Sequence, residues 1–159
     1  MSSFFKTLKE IRDPHEFEDK IYWLLKLLGI TTIIKYPRDK QAGLPDGIFK
    51  MGALVVMYDA TLSTDIDKKE QQIDNYVNNL MRDEIEIFKE PKKTWNIRNF
   101  FKEVWIITKE GPSREEEDVS GIKVKIVSID SLINLYIKRL QEIDREEELV
   151  EFLRKIEIL

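Results

Sequence analysis

The chain contains no cysteine, so neither a disulfide nor a thiolate metal site is open to it. Its single histidine, His15, excludes a histidine-rich zinc centre, and a Ser/His/Asp triad or an HNH-type nuclease would have to rest on that one residue. Any metal chemistry must therefore use oxygen ligands, which points to Mg²⁺, Mn²⁺ or Ca²⁺. No apolar run approaches the roughly 20 residues that a bilayer span requires. The opening MSSFFKTLKEIRDP has neither the apolar core nor the small-residue cleavage site of a secretory signal. A cytoplasmic protein without membrane attachment is expected. Excess positive charge is also missing. The net charge of −4 argues mildly against a protein that coats nucleic acid.

What is present suits one soluble globular domain spanning residues 1–159, with 42% hydrophobic and 35% charged residues. There is no internal repeat and no low-complexity linker. Charge is unevenly spread: REEED at 114–118 and DREEE at 144–148 are acidic. Cations gather in KEPKKTWNIRNFFK at 89–102 and in the smaller group Lys35, Arg38 and Lys40.

Periodicity predicts a helix over 14–28, with Asp13 at the N-cap, Pro14 in the first turn and Gly29 as the stop. The β-branched ITTIIKY at 30–36 predicts a strand, and PRDKQAGLPDG a loop. GIFKMG and ALVVMYDAT predict a hairpin turning around Lys50–Gly52; the second run is apolar throughout, as in a strand covered on both faces. A long helix is expected over 66–88, a strand at 103–108, an acidic loop, a strand at 121–128, and helices over 128–143 and 145–158. This order suggests a three-layer α/β fold with a central mixed sheet.

The most informative segment is Leu44-Pro45-Asp46-Gly47, followed by the strand that ends Met57-Tyr58-Asp59-Ala60-Thr61. Pro45 restricts the backbone as the loop enters the hairpin. Asp46 can be read as an ordinary turn aspartate of a Pro-Asp-Gly sequence, or as one of a pair with Asp59. Asp59 closes an apolar strand, where a charge is costly unless hydrated, paired or bound to a metal. Two carboxylates at neighbouring strand ends could share a divalent ion that polarises a phosphodiester and activates a water.

The arrangement resembles the PD-(D/E)xK phosphodiesterase superfamily, and locally it is most like the cleavage domain of the type IIS endonuclease FokI. The resemblance rests on Pro45-Asp46-Gly47, on Val55 to Asp59, and on a polar helix containing Gln72 and Tyr76. It continues through Val104-Trp105-Ile106-Ile107 to the strand and helix start Ile126 to Leu132. It covers about 14–135 in order of elements. Phe17-Glu18 is similar to the Phe-Glu of the superfamily's opening helix, and Gln72, Tyr76 and Leu80 to a pattern of RecB-type nucleases.

That resemblance implies a restriction-endonuclease-like fold and a Mg²⁺-dependent DNA endonuclease, restriction-type or structure-specific, with Mn²⁺ possible. Asp46 and Asp59 would bind the metal with Glu18 assisting, and DNA would be the substrate. Cutting both strands would call for a homodimer or a partner subunit. The sequence departs from the pattern at Thr61, where the superfamily places a catalytic lysine; a threonine could offer a hydroxyl but cannot replace the cation, and Lys68 or Thr61 with Gln72 would position the water. Lys68 is the substitute proposed from spacing, because Lys68, Gln72 and Tyr76 share one face if the helix starts by about residue 66. The alternative is a catalytically inactive nuclease-like module that binds DNA or a partner.

Each of these residues also has a plainer reading. Glu18 can be a solvated first-turn acid, Lys68 a surface lysine, and Gln72 and Tyr76 an ordinary amphipathic face. Lys92, Lys93, Trp95 and Arg98 mix cations with an aromatic, as a DNA-contacting segment does. They also fit a loop whose Trp95, Phe100 and Phe101 pack on the core.

Overall fold

The structure, a computed structural model, describes residues 3–39, 43–63, 66–142 and 145–159. Lys40, residue 143 at the end of one expected helix and Asp144 of the second acidic run lie outside them. A short helix α1 (Ser3–Glu10) precedes the elements expected from the sequence and buries Phe5 and Leu8. Helix α2 (Pro14–Leu27) begins as its residues dictate: the Asp13 carboxylate accepts the His15 N–H at 3.1 Å, with Pro14 in the first turn. It ends at Gly29, whose φ of +98° favours glycine. The missing side chain also leaves room for the Arg139 guanidinium, which donates to the Leu28 carbonyl.

Six strands form one sheet in the order β1 (Thr32–Lys35), β2 (Gly47–Met51), β3 (Leu54–Thr61), β6 (Phe101–Thr108), β8 (Ile122–Ser128) and β7 (Arg114–Val119). The central β3, β6 and β8 run parallel, while β1, β2 and β7 pair antiparallel at the two sides, so the sheet is mixed. β3 shows why ALVVMYDAT has no alternation. Leu54, Val56, Tyr58 and Ala60 join one core with Phe17 and Leu24 of α2, Leu132 of α4 (Ile129–Glu142) and Leu153 of α5 (Glu146–Arg154). Val55 and Met57 join a second core with Ile73, Tyr76, Val77 and Leu80 of α3 (Glu70–Leu80). A strand buried on both faces retains no polar side. The expected mixed α/β sheet flanked by helices is present.

Three local expectations differ. The long helix over 66–88 is a 3₁₀ turn at Ile66–Lys69, then α3, then strand β4 (Glu84–Lys89). In EIEIFK, Ile85 and Ile87 are buried and Glu84 and Glu86 exposed, the period-two pattern of a strand. β4 pairs with β5 (Lys92–Asn96) as a separate two-stranded sheet, so the cationic stretch is a hairpin arm instead of a loop. The acidic segment 114–118 lies in the edge strand β7, where its carboxylates face water.

A buried ion-pair group between β6 and β8 pins the chain's last turn. The Lys125 ammonium, fully buried, lies 3.0 Å from Glu103, 2.8 Å from Glu157 and 2.6 Å from the Arg154 carbonyl. Trp105 Nε1 donates to Glu103 at 2.9 Å. Among the described residues no helix is long and apolar enough to cross a membrane.

Candidate active site

Asp46 directly precedes β2, and Asp59 lies near the end of β3. The register pairs Gly47 with Tyr58, which sets the two aspartates side by side. They interlock. The Asp46 backbone N–H donates to Asp59 Oδ1 at 2.8 Å, and the Ala60 backbone N–H donates to Asp46 Oδ2 at 2.8 Å. Each carboxylate is thus held by the main chain next to the other. Gly47 makes this possible, because a β-carbon there would stand 2.5 Å from the Tyr58 ring.

Asp59 points to the α3 side of the sheet and is only 3% exposed. The Tyr76 hydroxyl donates to Asp59 Oδ2 at 2.8 Å, with the Leu44 carbonyl a more distant acceptor at 3.3 Å. Burial raises the Asp59 carboxyl above the usual carboxylate range, and the Asp46 charge raises it further. Lys69, the Asp46 N–H and Tyr76 pull the other way. The Tyr76 phenol is in turn pushed up by burial and by the Asp59 charge it faces.

Among the described residues, Lys69 is a lysine that reaches this site. Its ammonium lies 3.5 Å from Asp59 Oδ2 and 3.4 Å from Gln72 Oε1. The expectation placed Lys68 on the stripe with Gln72 and Tyr76, but the chain is a 3₁₀ turn through 66–69 and α3 starts only at Glu70. Lys68 is exposed, and the tighter turn brings Lys69 to Asp59 instead. A spacing of three then four, Lys69-Gln72-Tyr76, also describes one helix face, so the signal was in the sequence.

Thr61 is engaged locally, its Oγ1 accepting the Ser63 N–H at 3.1 Å. Glu18 stands on α2 with a carboxylate oxygen 4.0 Å from His15 Nδ1. Its charge, like those of Asp46 and Asp59, contributes to holding the Tyr58 phenol un-ionised, though burial is the larger cause. Among the described residues no three acids or histidines are gathered closely enough to hold an ion by side chains alone. Lys92, Lys93 and Arg98 are exposed, the two lysines near the β4–β5 turn opposite Lys89 and Phe88. Trp95 is buried, with the Lys50 ammonium 4.8 Å from its ring centre, so it presents no free face for stacking a base. Phe101, by contrast with the core-packing reading, is 48% exposed, its ring covered by Arg154.

No protein-family model matches the chain, and no curated protein matches it in sequence. A solved structure does match in three dimensions: the small subunit (R.BspD6I2) of the heterodimeric restriction endonuclease R.BspD6I. The TM-score is 0.51 at 13% identity, over 98% of this chain and 95% of that one. The chain has a restriction-endonuclease-like fold. At that identity the likeness concerns the fold alone.

Proposed function

We propose that this chain is a Mg²⁺-dependent endonuclease acting on DNA, with Mn²⁺ able to substitute, and that Asp46 and Asp59 hold the ion. One observation carries the reading: two interlocked carboxylates at adjacent strand ends with an ammonium 3.5 Å from the buried one. A divalent cation is the further positive charge that two such closely placed carboxylates favour. An oxygen-only donor set suits a hard cation, and Mg²⁺ is commonly held by one or two carboxylates plus water and substrate phosphate. When bound, the ion supplies Lewis acidity toward a phosphoryl oxygen and lowers the pKa of a water.

The chain's own groups do the rest. Lys69 stands in for the cation that Thr61 lacks, orienting the attacking water and stabilising charge that develops on the phosphate. Gln72 and Asp59 steer its ammonium, and Tyr76 fixes the orientation of Asp59. Lys92, Lys93 and Arg98 offer phosphate contacts outside the centre. A second copy or a partner subunit supplies the second cut, in line with the heterodimeric enzyme to which the similar structure belongs. The finer likeness to FokI, like the choice between restriction and structure-specific cleavage, rests on the sequence pattern.

The second reading, a nuclease-like module that binds DNA or a partner without cutting, is favoured by Thr61. Supercoiled plasmid incubated with Mg²⁺ or Mn²⁺ separates the two. The endonuclease reading expects nicking by the wild type and none by Asp59→Ala. No nicking at any metal or protein concentration would establish the second reading instead.

A further inference from the structure

The end of the sheet remote from Asp59 gathers positive charge, although the chain as a whole has a net charge of −4. Phe101 opens β6 and pairs with Leu54, which opens β3. From there to Asp59 is roughly 17 Å at the strand rise of 3.3 Å per residue. Five cations of the described residues gather near Phe101. Arg154, in the last turn of α5, holds its guanidinium 3.5 Å above the Phe101 ring centre. Lys102 donates to the Arg82 carbonyl at 3.3 Å, which brings Arg82 to the same end. Lys50 shares a cross-strand row with Lys102, the two standing on either side of Val55. Arg98 precedes Phe101 by three residues, at the base of the β4–β5 hairpin.

None of the five has a carboxylate partner among the described residues. Asp83 and Glu151, exposed neighbours in sequence of Arg82 and Arg154, pair with none of them, and Glu103 and Glu157 are engaged by Lys125. Cations collected without counter-charges repel one another, and a bound polyanion relieves that repulsion. Arg154 is also held ready. Its carbonyl accepts the buried Lys125 ammonium at 2.6 Å and its guanidinium rests on Phe101, so the side chain is fixed at both ends. A guanidinium lying on a ring keeps its N–H donors around its edge, in the fork that matches two phosphate oxygens. Phe101 is covered by Arg154 and Trp95 is buried, so neither offers a face to a base. The chemistry here is that of phosphate contact.

We propose that this end of the sheet is a second nucleic-acid surface, which holds the phosphodiester backbone of duplex DNA independently of the Asp46–Asp59 centre. Arg154 is its anchor, and Arg98, Lys102, Arg82 and Lys50 add charge around it. Lys92 and Lys93, at the other end of the hairpin, form no part of it. A protein partner favours an apolar centre to its interface, whereas the middle of this surface is a guanidinium. The surface goes beyond the nuclease reading, because it holds DNA whether or not the chain cuts.

The test uses the full chain and a fluorescein-labelled DNA duplex, followed by fluorescence anisotropy in EDTA over a range of salt. Wild type and Asp59→Ala should both bind. Arg154→Gln, which leaves the backbone contact to Lys125 untouched, should weaken binding about three- to tenfold in either background. It should also lower the slope of log affinity against log salt by about 0.9, the mark of one lost phosphate contact, which a merely structural residue would not move. Arg98→Gln, at an exposed position where folding is not at stake, should do the same, and the two losses should add. Unchanged affinity and salt slope in both variants would overturn the proposal. Displacement of the duplex by polyglutamate at equal charge would overturn it too, assigning the surface to an acidic protein. Plasmid nicking in Mg²⁺ that persists in either event would leave the nuclease reading standing. The expected salt slopes without any nicking would sink that reading and keep this one.

Discussion

Asp59 carries the burden of the site, since it is buried beside a second carboxylate and answered by a lysine at 3.5 Å. Its folded-state pKa is raised from 3.8 by burial first and Asp46 second. The fold therefore prefers the protonated acid. That contribution to stability is fully present below the unfolded-state value and is lost as pH rises through the raised folded one. In EDTA, Asp59→Asn should thus stabilise the fold at neutral pH by roughly 0.5–2 kcal/mol, as removal of a functionally strained charge commonly does. The gain over wild type should shrink toward pH 4, which thermal unfolding across pH would measure. Added Mg²⁺ should raise the wild-type melting temperature and leave the variant unmoved. That Asp46 and Asp59 lie side by side was legible in the sequence, because a charge at the end of an apolar strand demands a partner. Lys69 was not singled out, because a 3₁₀ turn ahead of α3 changes which side chain reaches the sheet.

At the scale of elements, β2 and β3 must approach closely for the aspartates to interlock, and Gly47 is the point of closest approach. Gly47→Ala would drive a methyl into the Tyr58 ring, a contact at 2.5 Å between well-packed groups. Overpacking of this kind costs roughly 1–3 kcal/mol. The variant should melt earlier and lose Mg²⁺-dependent cleavage beyond what its folded fraction explains. Elsewhere in the sheet, Lys125→Met leaves Glu103 and Glu157 buried or half-buried without their cation. Chemical denaturation should show a loss of about 3–5 kcal/mol, the usual cost of breaking a buried pair from one side. The central strands were readable from continuous apolar runs. β4 was not, because Glu84–Lys89 follows a true helix without a break by glycine or proline, and its two buried isoleucines are a weak period-two signal. β7 escaped for a related reason: an edge strand of REEED carries no apolar face at all.

For the whole molecule, one carboxylate centre per chain implies one cut per encounter. Plasmid nicking should therefore scale in proportion to protein concentration. Linear product should appear later and rise more steeply with concentration, or only when a partner subunit is supplied. Linear product formed at the outset, proportional to a monomeric chain, would contradict that picture. The central claim, that Asp46, Asp59 and Lys69 make a divalent-dependent nuclease centre, is tested most directly by single-turnover cleavage of an end-labelled duplex in Mg²⁺. Wild type, Lys68→Ala and Lys69→Ala would be compared at matched folded concentration. The account predicts a loss of about a hundredfold for Lys69→Ala, the scale set by removing one group that stabilises transition-state charge. Lys68→Ala should stay within about threefold of wild type, as an exposed side chain outside the centre would. Equal cleavage by wild type and Lys69→Ala, or a loss confined to Lys68→Ala, would contradict it.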